Sequence, residues 1–263
     1  MQIELLLAHL LNLPRLQLYL NFERVLCDPE LAQMRELVRR RGNREPLQHL
    51  TGAASFCGLD LAVGPEALIP RPETEVLAER AWTLLGDSPE VCPTALDFGT
   101  GSGCLAIAMA RHCPRARITA LDISAPALGL ARRNAERLAV ADRIDWVCSD
   151  GFDSLAVGAP FDLIVANPPY IPSAEIGHLA PEVRDYDPRE ALDGGPDGLG
   201  MIRRLAIQAA AFLGPGGRLL LEFGDGQAAS ISSLFAGQGW IAEAVEPDLS
   251  GRERIFVARP GGR

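Results

Sequence analysis

From about residue 94 to the C-terminus, short apolar segments alternate with helix-like ones, and this alternation admits few folds. Strand-like runs lie at 95–98, 117–121, 143–148, 161–166, 218–223 and 255–258, with helical patterns near 103–112, 124–138, 198–213 and 227–237. Buried strands separated by helices predict a mostly parallel sheet with helices on both faces. A further run, 240–245, is joined to 255–258 by a short loop and suits an antiparallel addition at the edge. The predicted class is α/β: a doubly wound, mostly parallel, seven-stranded sheet.

The first 50 or so residues read differently. Leu5, Leu6, Leu10, Leu11 and later Leu31, Met34, Leu37 and Val38 recur at three- and four-residue spacing, which predicts a small helical N-terminal domain. Asp28-Pro29-Glu30 reads as an acidic N-cap with proline at the first helical position. Arg39-Arg40-Arg41 and then Gly42 close that helix, and the triplet is either a solvated helix end or a binding patch. Around Phe56 and Leu59-Asp60-Leu61-Ala62-Val63 the pattern turns to a hairpin. Pro70 and Pro72 then force extended backbone before a helix over 73–85. The expected domains are 1–52, a hairpin and proline-rich linker at 53–75, and the α/β unit at 76–263.

Composition removes whole classes of chemistry. Of 263 residues, 25 are basic and 34 acidic, and every basic one is arginine. Lysine Schiff bases and lysine phosphate loops are therefore excluded. The net charge of −9 argues against broad contact with a phosphate backbone, so no direct nucleic-acid partner is expected. The six cysteines (Cys27, Cys57, Cys92, Cys104, Cys113 and Cys148) form no CxxC pair, and the four histidines are dispersed. They predict reduced, mostly buried cysteines in a cytoplasmic protein and no metal site. No apolar run approaches the roughly 18 residues of a membrane span, and the start has no basic leader pattern, so neither membrane nor export is expected.

The first α/β turn carries Asp97-Phe98-Gly99-Thr100-Gly101-Ser102-Gly103 between a strand and a helix. Small residues let backbone approach a ligand, and a helix start supplies free amides. A dinucleotide fingerprint would need glycine at position 104, which is Cys104. The acid Asp97 is awkward for a pyrophosphate and suits a ligand carrying positive charge. Asp122 ends the next strand, where an acid either accepts from ribose hydroxyls or caps the following helix. After the third strand, Asp150 and Phe152 could meet an adenine, or Phe152 could be simple core.

The most specific segment is Asn167-Pro168-Pro169-Tyr170, reached straight from a buried strand. Prolines have no amide hydrogen, so the turn offers carbonyl acceptors without matching donors, and Asn167 adds a side-chain oxygen. Tyr170 adds a flat face. Such a site suits a planar NH₂ group, whose nitrogen becomes a better nucleophile if both hydrogens are held as charge develops.

The glycine loop, Asp122 and the Asn-Pro-Pro-Tyr turn resemble those of class I S-adenosylmethionine-dependent methyltransferases. Along nearly its whole length the chain resembles the peptide chain release factor glutamine methyltransferases. The likeness runs through Arg44-Glu45-Pro46-Leu47-Gln48-His49-Leu50-Thr51-Gly52 and Leu68-Ile69-Pro70-Arg71-Pro72-Glu73-Thr74-Glu75. It continues through Pro181-Glu182-Val183, Ala191-Leu192-Asp193-Gly194-Gly195, Asp197-Gly198-Leu199, Glu222-Phe223-Gly224 with Gln227, and Asp248-Leu249-Ser250-Gly251-Arg252. The resemblance implies N5-methylation of the glutamine in the Gly-Gly-Gln motif of release factors. It implies S-adenosyl-L-methionine held by Asp97, Gly99, Thr100, Gly101, Ser102, Gly103, Asp122, Asp150, Gly151, Phe152 and Asn167. The glutamine amide falls to Asn167, Pro168, Pro169 and Tyr170. Residues 1–52 would recognise the release factor, and the protein is expected to act as a monomer. Gly151 stands where the family often carries an aromatic, and His49 where a tyrosine is expected. Arg71 and Glu73 either border the site, Arg71 as a substrate contact, or tether the linker. Residues 188–200 form either a flap or an ordinary loop. The rival reading is an adenine-N6 methyltransferase on DNA or RNA, which would need a basic groove.

Overall fold

The computed structural model describes residues 2–262 apart from Val157 and Ala159. Four helices come first: α1 (Gln2–Leu11), α2 (Arg15–Leu20), α3 (Asp28–Gly42) and α4 (Leu47–Thr51). The start of α3 differs by one residue from its sequence reading. Cys27 is the N-cap, because Glu30 reaches back to accept from its backbone N–H at 3.0 Å. At the other end Asn43, not Gly42, closes the helix. The arginine triplet is fully engaged: Arg39 pairs with Glu36, Arg40 with Glu45 and Arg41 with Glu182.

A two-stranded antiparallel hairpin follows, β1 (Ala53–Phe56) and β2 (Leu59–Ala62). Phe56 and Leu61 are fully buried against the helices of the α/β unit. Then come α5 (Pro72–Asp87), β3 (Thr94–Phe98), α6 (Cys104–His112), β4 (Arg117–Asp122), α7 (Ala125–Arg137), β5 (Ile144–Cys148) and β6 (Phe161–Ala166). The chain ends with α8 (Pro181–Arg184), α9 (Gly200–Gln208), β7 (Leu213–Glu222), α10 (Ala228–Gly237), β8 (Trp240–Pro247) and β9 (Glu253–Pro260).

The seven-stranded sheet runs β5-β4-β3-β6-β7-β9-β8, parallel from β5 to β7, with β9 alone reversed and so antiparallel to both β7 and β8. Both of its faces are covered, as alternation along β3 shows: Ala95 packs toward α5 and α6, Leu96 and Phe98 toward α9 and α10. The expected strand at 218–223 begins earlier, at Leu213, which pairs with Phe161 before a register shift resumes at Leu163 opposite Arg218. For the same reason the expected helix 198–213 stops at Gln208 and tightens into a 3₁₀ turn.

Strand order reverses about β3, so the crevice for ligands lies where the carboxyl ends of β3, β4 and β6 diverge. Register sets the level: Phe98 lies opposite both Leu121 and Ala166, which brings Gly99, Asp122 and Asn167 to one height at the sheet edge. No helix among the described residues is long and apolar enough to cross a membrane. All six cysteines are free thiols, but the expectation that most are buried fails, since Cys27, Cys92 and Cys148 are exposed and Cys113 alone is fully buried. Their carrier segments are surface caps, loops and a strand end, where a small apolar side chain has no core to enter.

Candidate active site

Asp97, from the end of β3, is fully buried and points toward α6. Its Oδ2 accepts from the Thr100 hydroxyl at 2.6 Å and from the Ala106 backbone N–H at 3.0 Å, so the acid caps the helix that follows. Its Oδ1 has no partner among the described residues. Burial pushes the Asp97 carboxyl up to about 7, against the pull of those two hydrogen bonds and with a smaller push from Asp122. An unpartnered oxygen in that setting favours a nearby positive charge. Because Asp97 has no exposed surface, the attraction acts through the field across the loop and not by contact.

Gly99, Gly101 and Gly103 all have left-handed backbone, with φ of 74°, 54° and 83°. At Gly103 a Cβ would also meet the Ala131 Cβ at 2.9 Å. Ser102 and Thr100 are buried in the same turn. The Gly99 and Thr100 N–H groups both donate to Leu121 O at 2.8 Å, anchoring the loop on β4. Asp122 bridges the loop and the approach to α7: its Oδ2 accepts from Gly101 N and its Oδ1 from Ser124 N, each at 2.8 Å, while Ser124 itself caps the helix. A carboxylate accepts about four hydrogen bonds, so each oxygen keeps a lone pair for a ligand hydroxyl. A glycine cradle, a spare carboxylate and a buried acid behind them fit a cationic, ribose-bearing cofactor.

The expected adenine contacts separate. Asp150 is exposed and paired with Arg204 of α9, whose NH2 group also donates to Asp150 O at 2.7 Å. Gly151 has φ 59°, and a Cβ there would run into the Arg204 guanidinium. Phe152 is buried between Phe98 and Phe212, with ring centroids at 4.9 and 4.6 Å. Of its two readings, core packing is the one that this geometry supports.

Beyond β6, Pro168 is buried while Asn167, Pro169 and Tyr170 are half-buried. Among the described residues no loop or turn hydrogen bond ends on the carbonyls of Asn167, Pro168 or Pro169. The Asn167 Nδ2 donates to the Thr74 hydroxyl at 3.0 Å, which leaves Oδ1 as the open end of its amide. The Tyr170 hydroxyl donates to Glu222 Oε1 at 3.2 Å, and burial pushes the phenol well above its usual range. Gln227 ties the turn down further, donating to Tyr170 O at 3.0 Å while its Oε1 accepts from Gly224 N. A side chain at Gly198 would collide with the Tyr170 carbonyl, so the 188–200 segment is packed against the turn. Ile171 N and O pair with Leu192 O and Gly194 N, which makes that segment part of the site wall.

Arg71 pairs with buried Asp187, whose other oxygen faces Ile69 N, a contact that ties the linker to the segment beyond the turn. Three supporting residues were given no role by the sequence reading, although Thr74 and Glu222 lie in its matching segments. Asn134 of α7 is buried and binds the Ala62 N–H and C=O and the Ser102 O, clamping the hairpin to the glycine loop. Thr74 and Glu222 meet at 2.7 Å under Asn167. Each carried one signal, a polar residue on an otherwise apolar stripe: Asn134 beside Ala131 and Ala135, Thr74 before Leu77 and Ala78, Glu222 after Leu219-Leu220-Leu221.

Known proteins resemble this chain along nearly all of its length. A model described as the PrmC N-terminal domain matches residues 2–52, and one described as a methyltransferase small domain matches residues 83–180. The release factor glutamine methyltransferase of Geobacter sulfurreducens is 44% identical over 261 residues, covering 99% of this chain and 89% of that one. That of Chlorobaculum tepidum is 46% identical over 238 residues, covering 88% and 80%. Among solved structures, a methyltransferase from Pyrococcus furiosus superposes with a TM-score of 0.57 at 20% identity, covering 88% of this chain and 98% of that one, a likeness of fold. With full-length identity at this level, the chain belongs to the release factor glutamine methyltransferase family.

Proposed function

We propose that the protein methylates the side-chain amide nitrogen (N5) of the glutamine in the Gly-Gly-Gln motif of peptide chain release factors, using S-adenosyl-L-methionine. When bound, that cofactor supplies an electrophilic methyl group on a positively charged sulfur. Residues 99–103 and Asp122 would hold it, Asp97 would favour its charge from behind the loop, and Asp150 and Gly151 would serve its adenine end. Asn167 Oδ1 and the proline carbonyls accept the two hydrogens of the substrate amide, and Tyr170 lies against its plane. Held this way, the amide nitrogen can pyramidalise, and acceptors that tighten as it gains charge lower the barrier preferentially. No general base is needed for that step, because the methylated nitrogen is acidic enough to lose its proton to water.

One observation carries this reading: the Asn167 NH₂ donates a hydrogen to Thr74, and among the described residues no loop or turn hydrogen bond ends on the carbonyls of residues 167–169, which leaves acceptors available. Residues 1–52 dock the release factor, with Leu16, Leu20, Phe22 and Val25 exposed on that domain. Arg71, paired with Asp187, serves chiefly to tether the linker. We take the compartment to be the cytoplasm and the working unit to be a monomer. The test is the mass of the tryptic peptide spanning Gly-Gly-Gln after incubation with enzyme and cofactor. A gain of one methyl group is expected there and none on DNA or RNA; methyl label in nucleic acid alone would favour the adenine reading instead.

A further inference from the structure

We propose that Glu222 is a positioning residue which, acting through the Thr74 hydroxyl, fixes which end of the Asn167 carboxamide faces the substrate. This rests on Asn167 serving as an acceptor. The two ends of a carboxamide have nearly the same shape, so packing cannot choose between them and hydrogen bonds must. The Thr74 hydroxyl has one proton, and Glu222 Oε2, 2.7 Å away and acceptor-only as a carboxylate, takes it. Toward Asn167, at 3.0 Å, Thr74 then offers lone pairs alone. The NH₂ end must turn to Thr74 and the oxygen must turn away from it.

Glu222 also accepts from the Tyr170 hydroxyl through its other oxygen. A single carboxylate at the end of β7 thus holds both ends of the four-residue turn, Asn167 through α5 and Tyr170 directly. Only 1% of Glu222 is exposed, and an ionised group there is costly unless it is paired or fully hydrogen-bonded. Arg254, anchored by donating to Phe223 O at 2.9 Å, favours the charged form, while Glu73 opposes it. A hydrophobic residue at 222 would pack at less cost, so the acid has a positional reason to be there.

The test uses Thr74→Val and Thr74→Ser in the full chain. In Thr74→Val, kcat on a release factor is expected to fall about tenfold, the scale of one lost hydrogen bond, with cofactor Kd within about twofold of wild type. Thr74→Ser should recover most of the rate. By NMR, the Asn167 side-chain amide, identified by its loss in Asn167→Asp, should exchange with solvent slowly in wild type and Thr74→Ser and faster in Thr74→Val. If Thr74→Val does not fold, the isosteric Glu222→Gln takes its place: its amide can donate to Thr74, releasing the hydroxyl proton toward Asn167, and the same fall in kcat is expected. Wild-type kcat in a folded Thr74→Val, unchanged amide exchange, or failure of Thr74→Ser to recover the rate would each overturn the inference. Absence of methylation by the wild-type protein would instead overturn the function, and the exchange measurement would still decide the role of Thr74.

Discussion

Asn167 and Asp97 serve the site by different physics, and substitution separates them. In the proposed mechanism, replacing Asn167 with alanine removes an acceptor that counts most as charge develops on the substrate nitrogen. A loss of about 10²-fold in kcat is expected, with cofactor affinity little changed, as measured by steady-state kinetics and calorimetric titration. Asp97 acts through its ionisation. Its carboxyl titrates near 7 when folded and near 3.8 when unfolded, so between these values the native state binds more protons. Stability therefore falls as pH rises from about 4 to about 7. Glu222 and Asp187 are also raised by burial and slope the same way, while ion-paired surface carboxylates such as Asp197 slope oppositely at lower pH. The diagnostic quantity is thus the difference between wild type and Asp97→Asn. In that variant Oδ1 can still accept from Thr100 and Ala106. Its melting temperature is expected to gain on wild type as pH rises through this window, with weaker cofactor binding above pH 7.

Elements reach the site through a few polar ties. Asn134 joins α7, the hairpin and the glycine loop by three hydrogen bonds at distances between 2.8 and 3.1 Å. Asn134→Ala strands buried backbone groups, each costing roughly 1–3 kcal/mol. Thermal denaturation should show a clear loss of stability, and cofactor titration a weaker Kd, because Ser102 loses its anchor. At the Asn-Pro-Pro-Tyr turn, Tyr170→Phe keeps the ring and removes only the tie to Glu222, whereas Tyr170→Ala removes the face as well. Most activity is expected to survive in the first and little in the second, with the difference read in kcat/KM.

Across the whole molecule, the helical domain is joined to the segment beyond the active-site turn through Glu182, which pairs with both Arg41 and Arg44. Tyr186 adds a hydrogen bond to Asn43 O, and its ring meets His49 edge-on. Both pairs keep contact with solvent, and ion pairs of this kind add little stability. Glu182→Ala should therefore leave the melting temperature nearly unchanged. If residues 1–52 orient the release factor, the same change raises KM for the intact factor while kcat at saturation is kept.

Much of this protein was determined by the sequence alone. Alternating strand and helix periods call for a doubly wound sheet, and glycines at 99, 101 and 103 mark a turn that only they can make. Two adjacent prolines after Asn167 set an acceptor-rich turn whatever surrounds it. These are local properties, carried by backbone sterics and by the spacing of apolar side chains. Tertiary structure alone decided which way the Asn167 amide points, that Asp97 is sealed behind its loop, that Phe152 sits between two other rings, and that Arg71 binds Asp187. The partners involved, Thr74 with Glu222 and Arg71 with Asp187, lie more than a hundred residues apart. No local pattern encodes such pairs, because a hydrogen bond's direction depends on what the fold brings to its other end.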